Sequence, residues 1–227
     1  MSIIDISGAK YLDLNDLVFI SNNLMIKHMK RLYSYLMLFF FFMTGLAAQD
    51  SEPSDLPYSS IPEVSGSYSA GKVAARQVDG LGFRYYWATE GLREADLNYK
   101  PSPEARTTRQ TLEHIYGLCA LILNATLEKE NTGGVDTEMP FHELRRKTLE
   151  NISSTSEILS RSSDEDLERY KVVFKSSESS SAFPFWNLLN GPIADAIWHT
   201  GQIASFRRSS GNPINPKASF FTGTLRE

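Results

Sequence analysis

Residues 190–208, NGPIADAIWHTGQIASFRR, set the narrowest limits on what this chain can build. Asn190 reads as a helix cap and Pro192 as a first-turn residue. Between Pro192 and Phe206 the titratable side chains are Asp195 and His199, an i,i+4 pair. On a helix they share one face, one turn apart. Gln202 continues the same stripe. A carboxylate and an imidazole on an otherwise apolar helix are costly to bury unless something pairs with them. The spacing points to two of the three protein ligands of a divalent-metal site. Elsewhere the chain must then supply a third ligand and the walls.

Three earlier segments carry helical periodicity. In 67–92, Val73, Ala74, Val78, Leu81, Tyr85, Ala88 and Leu92 recur at threes and fours, with Ser67 or Ser69 as the cap. Gly80 and Gly82 weaken its middle and make room for a close neighbour. Arg84 to Trp87 form an aromatic-rich second half that reads as core and rim. The prolines at 101 and 103 then force a loop. A second helix begins at Thr107 or Thr108 and runs to about Lys129, with Thr111, Ile115, Leu118, Leu121, Ile122 and Ala125 on its apolar stripe. His114 falls within that stripe. A histidine on an apolar face is usually a satisfied core residue, until a second helix offers Asp and His at ligand spacing. A third helix spans Phe141 to about Leu159, with His142 as a solvated first-turn residue. Residues 160–168 form a polar connection, and Tyr170–Phe174 alternates as one short strand. A serine-rich loop follows, and Ala182–Leu189 makes an aromatic approach to the last helix. Four long helices with one extended insertion predict an all-α, up-down four-helix bundle, the kind of fold that builds metal sites from facing helices.

The N-terminal fifty residues read as targeting, not fold. Lys27, Lys30 and Arg31 precede an apolar run through Met43, followed by small residues to Ala48. That is a secretory signal peptide over 25–48, too short for a comfortable membrane span. Residues 1–24 read as an upstream over-extension of the start, and 49–66 as a flexible lead-in. Cleavage leaves an exported protein, periplasmic or secreted, without a stable membrane span. The domain covers 67–213 and a tail 214–227 closes the chain. A net charge of −4 argues against nucleic acid as a partner. Arg207 and Arg208 read as complements to their own helix dipole. The single cysteine, Cys119, lies among apolar residues and reads as a buried, inert thiol.

Leu112-Glu113-His114-Ile115 on one helix, Asp195-Ala-Ile-Trp-His199-Thr-Gly-Gln202-Ile203 on another, Arg-Arg and Gly211-Asn212-Pro213 after it, and Tyr99-Lys100-Pro101 before the first together resemble the DinB/YfiT-like superfamily of four-helix metal-binding proteins. The resemblance covers about 67–213. It implies one histidine from the second helix and two, four apart, from the last. His114 and His199 match, and Asp195 stands where the family usually has histidine. Two imidazoles and a carboxylate suit zinc, and are also the composition of the ferrous facial triad; nickel and manganese are alternatives. Gln202 is placed to orient a ligand. Open positions on such a cation hold water, acidified toward neutral pH. The expected function is therefore a metal-dependent hydrolase or transferase with an unidentified small-molecule substrate. Hydrolysis is favoured over thiol transfer, since the thiol cosubstrates are cytosolic and this chain reads as exported. The alternative is a non-catalytic exported binding or stress-related module with a vestigial or structural site. Look-alikes are often homodimers, but no residue here marks an interface.

Overall fold

The computed structural model describes Met25, Met29, Lys30 and residues 56–63, 66 and 68–227. By its contacts the chain divides into two units, Met1–Glu52 and Pro53–Glu227. The expected cleavage region near Ala47 and Ala48 lies outside the described residues. Among the described residues no helix is long and apolar enough to cross a membrane.

The second unit is mainly helical. Its long helices are α1 (Ala70–Thr89), α3 (Thr108–Thr126), α4 (Phe141–Arg161) and α7 (Ala194–Ser209). Between them lie α2 (Glu94–Leu97), α5 (Asp164–Arg169), the strands β1 (Lys171–Lys175) and β2 (Ser180–Pro184), and α6 (Phe185–Leu188). Strands β3 (Ala218–Ser219) and β4 (Thr224–Leu225) end the chain. Local chemistry explains most boundaries. Ser69 Oγ accepts from the Lys72 amide at the start of α1. Thr107 and Gln110 form a reciprocal capping box at the start of α3, as Ser163 and Asp166 do for α5. The last of these turns the expected polar connection into a short helix.

The directions of the long helices follow from contacts at their ends. Gly71 in the first turn of α1 lies against the carbonyls of Leu159 and Ser162, and Arg145 near the start of α4 bonds Thr89 and Glu90 at the end of α1. So α1 and α4 are antiparallel. Arg109 in the first turn of α3 donates to the carbonyls of Thr137 and Met139, just ahead of α4. The starts of α3 and α4 therefore lie at one end, joined by a crossover over 127–140. Arg207 near the end of α7 donates to the carbonyls of Trp87, Ala88 and Glu90, so α1 and α7 run together. Strict up-down alternation, expected from sequence, is replaced by an up-down-down-up order because the connection after α3 is long enough to return.

The core is drawn from one face of each long helix: Val78, Leu81 and Tyr85; Leu112, Ile115 and Cys119; Leu144, Leu149 and Ile152; Ala196 and Ile203. Cys119 is buried, as its setting predicts, and burial pushes its thiol pKa up. Val73, expected on the apolar stripe of α1, is 57% exposed, because Gly71, Ala74 and Ala75 make the close contacts instead. The end of the lead-in is packed. Tyr58 is buried, its ring lies against Gly82, and its hydroxyl donates to Asp79 Oδ1 at 3.1 Å. Ser156 donates to the same oxygen at 2.5 Å. The space at Gly82 thus admits an aromatic ring, not a second helix. The tail also packs: Phe220 meets Phe83 edge-on at 5.7 Å, whereas Phe221 is fully exposed.

The segment Tyr170–Phe174, expected as a lone strand, is half of an antiparallel hairpin in which Val172 pairs with Phe183 and Phe174 with Ser181. β2 is exposed along its length, so its residues carry none of the apolar alternation that betrays a strand. Asn190 is not a cap. Leu189–Ile193 is a π-helical turn that joins α6 to α7 without a break, and Pro192 lies inside it. A proline cannot donate to the i−4 carbonyl, and a wider turn absorbs the missing bond.

Two stability measurements probe this packing. Arg207→Met should destabilise the fold by about 3 kcal/mol, since it leaves several buried carbonyls without a donor; chemical denaturation measures this. Burial raises the Asp79 pKa, against the lowering effect of Ser156 and Tyr58. The folded state therefore favours the protonated acid, and wild-type stability falls as pH rises from the unfolded Asp value through the folded one. Asp79→Asn keeps an acceptor oxygen and no charge. Its Tm should exceed wild type at pH 7, and the gap should close below about pH 4.

Candidate metal centre

His114 lies in the second turn of α3, at the edge of that helix's buried face. Leu112, Ile115 and Cys119 point inward, and the His114 side chain is one-third exposed at 33%. Asp195 and His199 project from the first two turns of α7, immediately after the π turn. The antiparallel packing of α3 against α7 brings these side chains together. His114 Nε2 is 3.3 Å from Asp195 Oδ2, and His199 Nε2 is 3.4 Å from Asp195 Oδ1. The two rings meet edge-to-face at 4.6 Å between centroids. One ligand atom from each residue can be chosen so that all three lie within 4.8 Å of one another.

The donor set fits a divalent cation. Zinc bonds of about 2.0–2.1 Å in a tetrahedral centre place neighbouring donors about 3.4 Å apart, close to both imidazole–carboxylate separations here. His199 Nδ1 is 2.8 Å from Gln202 Oε1. An amide oxygen only accepts, so the ring nitrogen facing it carries the proton. That leaves the Nε2 lone pair of a neutral His199 pointed at a carboxylate oxygen. Two acceptors at that distance repel unless positive charge lies between them, either a proton on Nε2 or a metal ion. The contact with Gln202 thus selects Nε2 as the nitrogen that faces His114 and Asp195.

Burial pushes the His114 pKa down, the hydrogen bond to Asp195 pulls it up, and Arg106 and His199 lower it further; the net direction is down. His114 therefore stays neutral, and ready to ligate, to lower pH than an ordinary histidine. The Arg106 charge, just ahead of the cap of α3, is an electrostatic neighbour that periodicity cannot reveal. His142 sits exposed in the first turn of α4 and is not a member of the cluster. Trp198, 72% exposed, stands beside His199 on the solvent side.

Comparison of the chain with family models, with curated proteins and with solved structures gives no match. The geometry of the three side chains thus stands on the chain's own residues.

Titration of the chelator-stripped protein with Zn²⁺ should show one equivalent bound. His114→Ala, Asp195→Ala and His199→Ala should each abolish that stoichiometric step. Gln202→Leu should weaken it by roughly 10–100-fold. Affinity should fall as pH drops and the ligating imidazoles take up protons, with His114 protonating at lower pH than an ordinary histidine. Isothermal calorimetry with elemental analysis reads all of these.

Proposed function

We propose that this chain is an exported divalent-metal-binding protein of the DinB/YfiT-like four-helix type, acting as a metal-dependent hydrolase or transferase on a small molecule. The observation that carries the reading is the convergence of His114, Asp195 and His199, from two helices far apart in sequence, within 4.8 Å. Three protein donors on one side leave coordination positions for water and substrate, the arrangement of catalytic rather than structural sites. When bound, the cation supplies Lewis acidity and lowers the pKa of coordinated water. The chain's own residues do the rest. Gln202 fixes the His199 ring, and Asp195 balances the cation's charge. Zinc leads the candidates by donor composition, with iron, nickel and manganese behind it. Export rests on the 25–48 segment, and nucleic acid is set aside as a partner on charge.

A second reading has its own support. Asp195 touches both imidazoles through different oxygens, so the cluster also works as a self-contained polar tie between α3 and α7. On that reading the protein is a non-catalytic binding module. Elemental analysis of the purified protein, followed by a screen of ester and amide substrates, separates the two. Turnover that is lost with chelator, restored by added Zn²⁺, and absent in His199→Ala supports the enzyme. A metal-free protein of unchanged stability, inert in the screen before and after metal addition, supports the module.

A further inference from the structure

A second cleft lies on the flank of α7 that faces away from the metal ligands. It has a volume of about 320 Å³, near the lower bound of the ~300–1,000 Å³ typical of small-molecule sites. Ala88 of α1, Ile197, Gly201 and Ala204 of α7, and Ile214 and Phe220 of the tail form its walls. The walls are fixed: Phe220 is held edge-on by Phe83, and Ile214 packs with Phe83 and Trp87. One lining residue, Arg84, is charged, and no lining residue is acidic.

Arg84 is built into place. Its Nη1 donates to the Gly80 carbonyl at 2.9 Å, and its guanidinium carbon lies 5.9 Å from the Phe220 ring centroid. Among the described residues no carboxylate pairs with it. A guanidinium has five N–H donors in a planar fork, so most remain for a planar anion. Small side chains at Ala88, Gly201 and Ala204 leave the space that an apolar chain or ring would fill.

We propose that this cleft binds a small carboxylate bearing an apolar chain or ring, with the carboxylate on Arg84 and the apolar part between α1, α7 and the tail. Charge complementarity selects the head group, and the apolar walls select the body. The site is independent of the metal centre and needs no cation.

The test is amide-resolved NMR of the full chain with EDTA present, titrated in turn with octanoate, 1-octanol and octylamine. Octanoate should perturb the amides of Ala88, Gly201 and Ala204, with a Kd on the order of 10⁻⁴ M for a ligand of this size. Octanol should bind at least tenfold more weakly, and octylamine not measurably. Arg84→Gln should bring octanoate down to the level of octanol. A Cβ added at Gly201 meets no atom within 4 Å, so Gly201→Leu fills the cleft without displacing the fold and should abolish binding of both. Circular dichroism checks that each variant is folded. Equal binding of the three ligands, perturbations elsewhere, no perturbation at millimolar octanoate, or unchanged affinity in folded Arg84→Gln or Gly201→Leu would each overturn the proposal.

Discussion

The guanidinium of Arg207 is the tie on which the arrangement of the long helices depends. A helix leaves its last four carbonyls without partners, and a buried helix end must find donors for them. Arg207 supplies donors to Trp87, Ala88 and Glu90 at the end of α1, and its Nε donates to the Asn212 carbonyl beyond its own helix. The residues around it are tied in turn: Ser210 and Asn212 donate to Asp96, whose carboxyl the paired Arg93 holds far below the usual range. This knot pins the far end of α7. With α7 fixed in direction and height, its early turns meet α3 at the level of His114. The Asp195–His199 pair and the clamp thus lie on one rod, the pair in its early turns and the clamp at its far end.

Much of this was legible in the sequence. Three amphipathic segments mark α1, α3 and α4, because their burial is one-sided and periodicity records it, whereas α7 is marked by the spacing of Asp195 and His199. The pairing of Asp195 with His199 follows from spacing on a single helix, whereas its meeting with His114 is an expectation drawn from treating three costly polar residues as one problem and from the resemblance of the two helices' motifs, and spacing alone does not dictate it. Arg207 was readable as basic at a helix end, but the carbonyls it serves belong to a helix more than a hundred residues away. The strand β2 leaves no pattern because neither of its faces is buried. The order of the helices depends on the length of the crossover after α3, and connection length constrains direction only weakly.

Polar groups inside this fold sit where they constrain its geometry. Asp79 fastens the end of the lead-in through Tyr58 to α1 and α4; Arg145 fastens the start of α4 to the end of α1. Each costs desolvation, and each joins segments that apolar contact alone would let slide. The trio of His114, Asp195 and His199 differs in being half-open to solvent, with its charges unbalanced until a proton or cation arrives. Placing it at the rim of the core, not within it, keeps that demand answerable from outside.

The π turn at Leu189–Ile193 decides how this region tolerates change. An ordinary α-helix locks every side chain to one angular register, so the aromatic stretch ahead and the Asp195–His199 pair behind would be phased together. The extra residue in the wide turn offsets them, by about 100° for one residue. Phe185 and Leu188 can therefore point into the core on one phase while Asp195 and His199 meet His114 on another. Deleting a single residue there would restore a regular helix and still turn one of those two groups away from its destination.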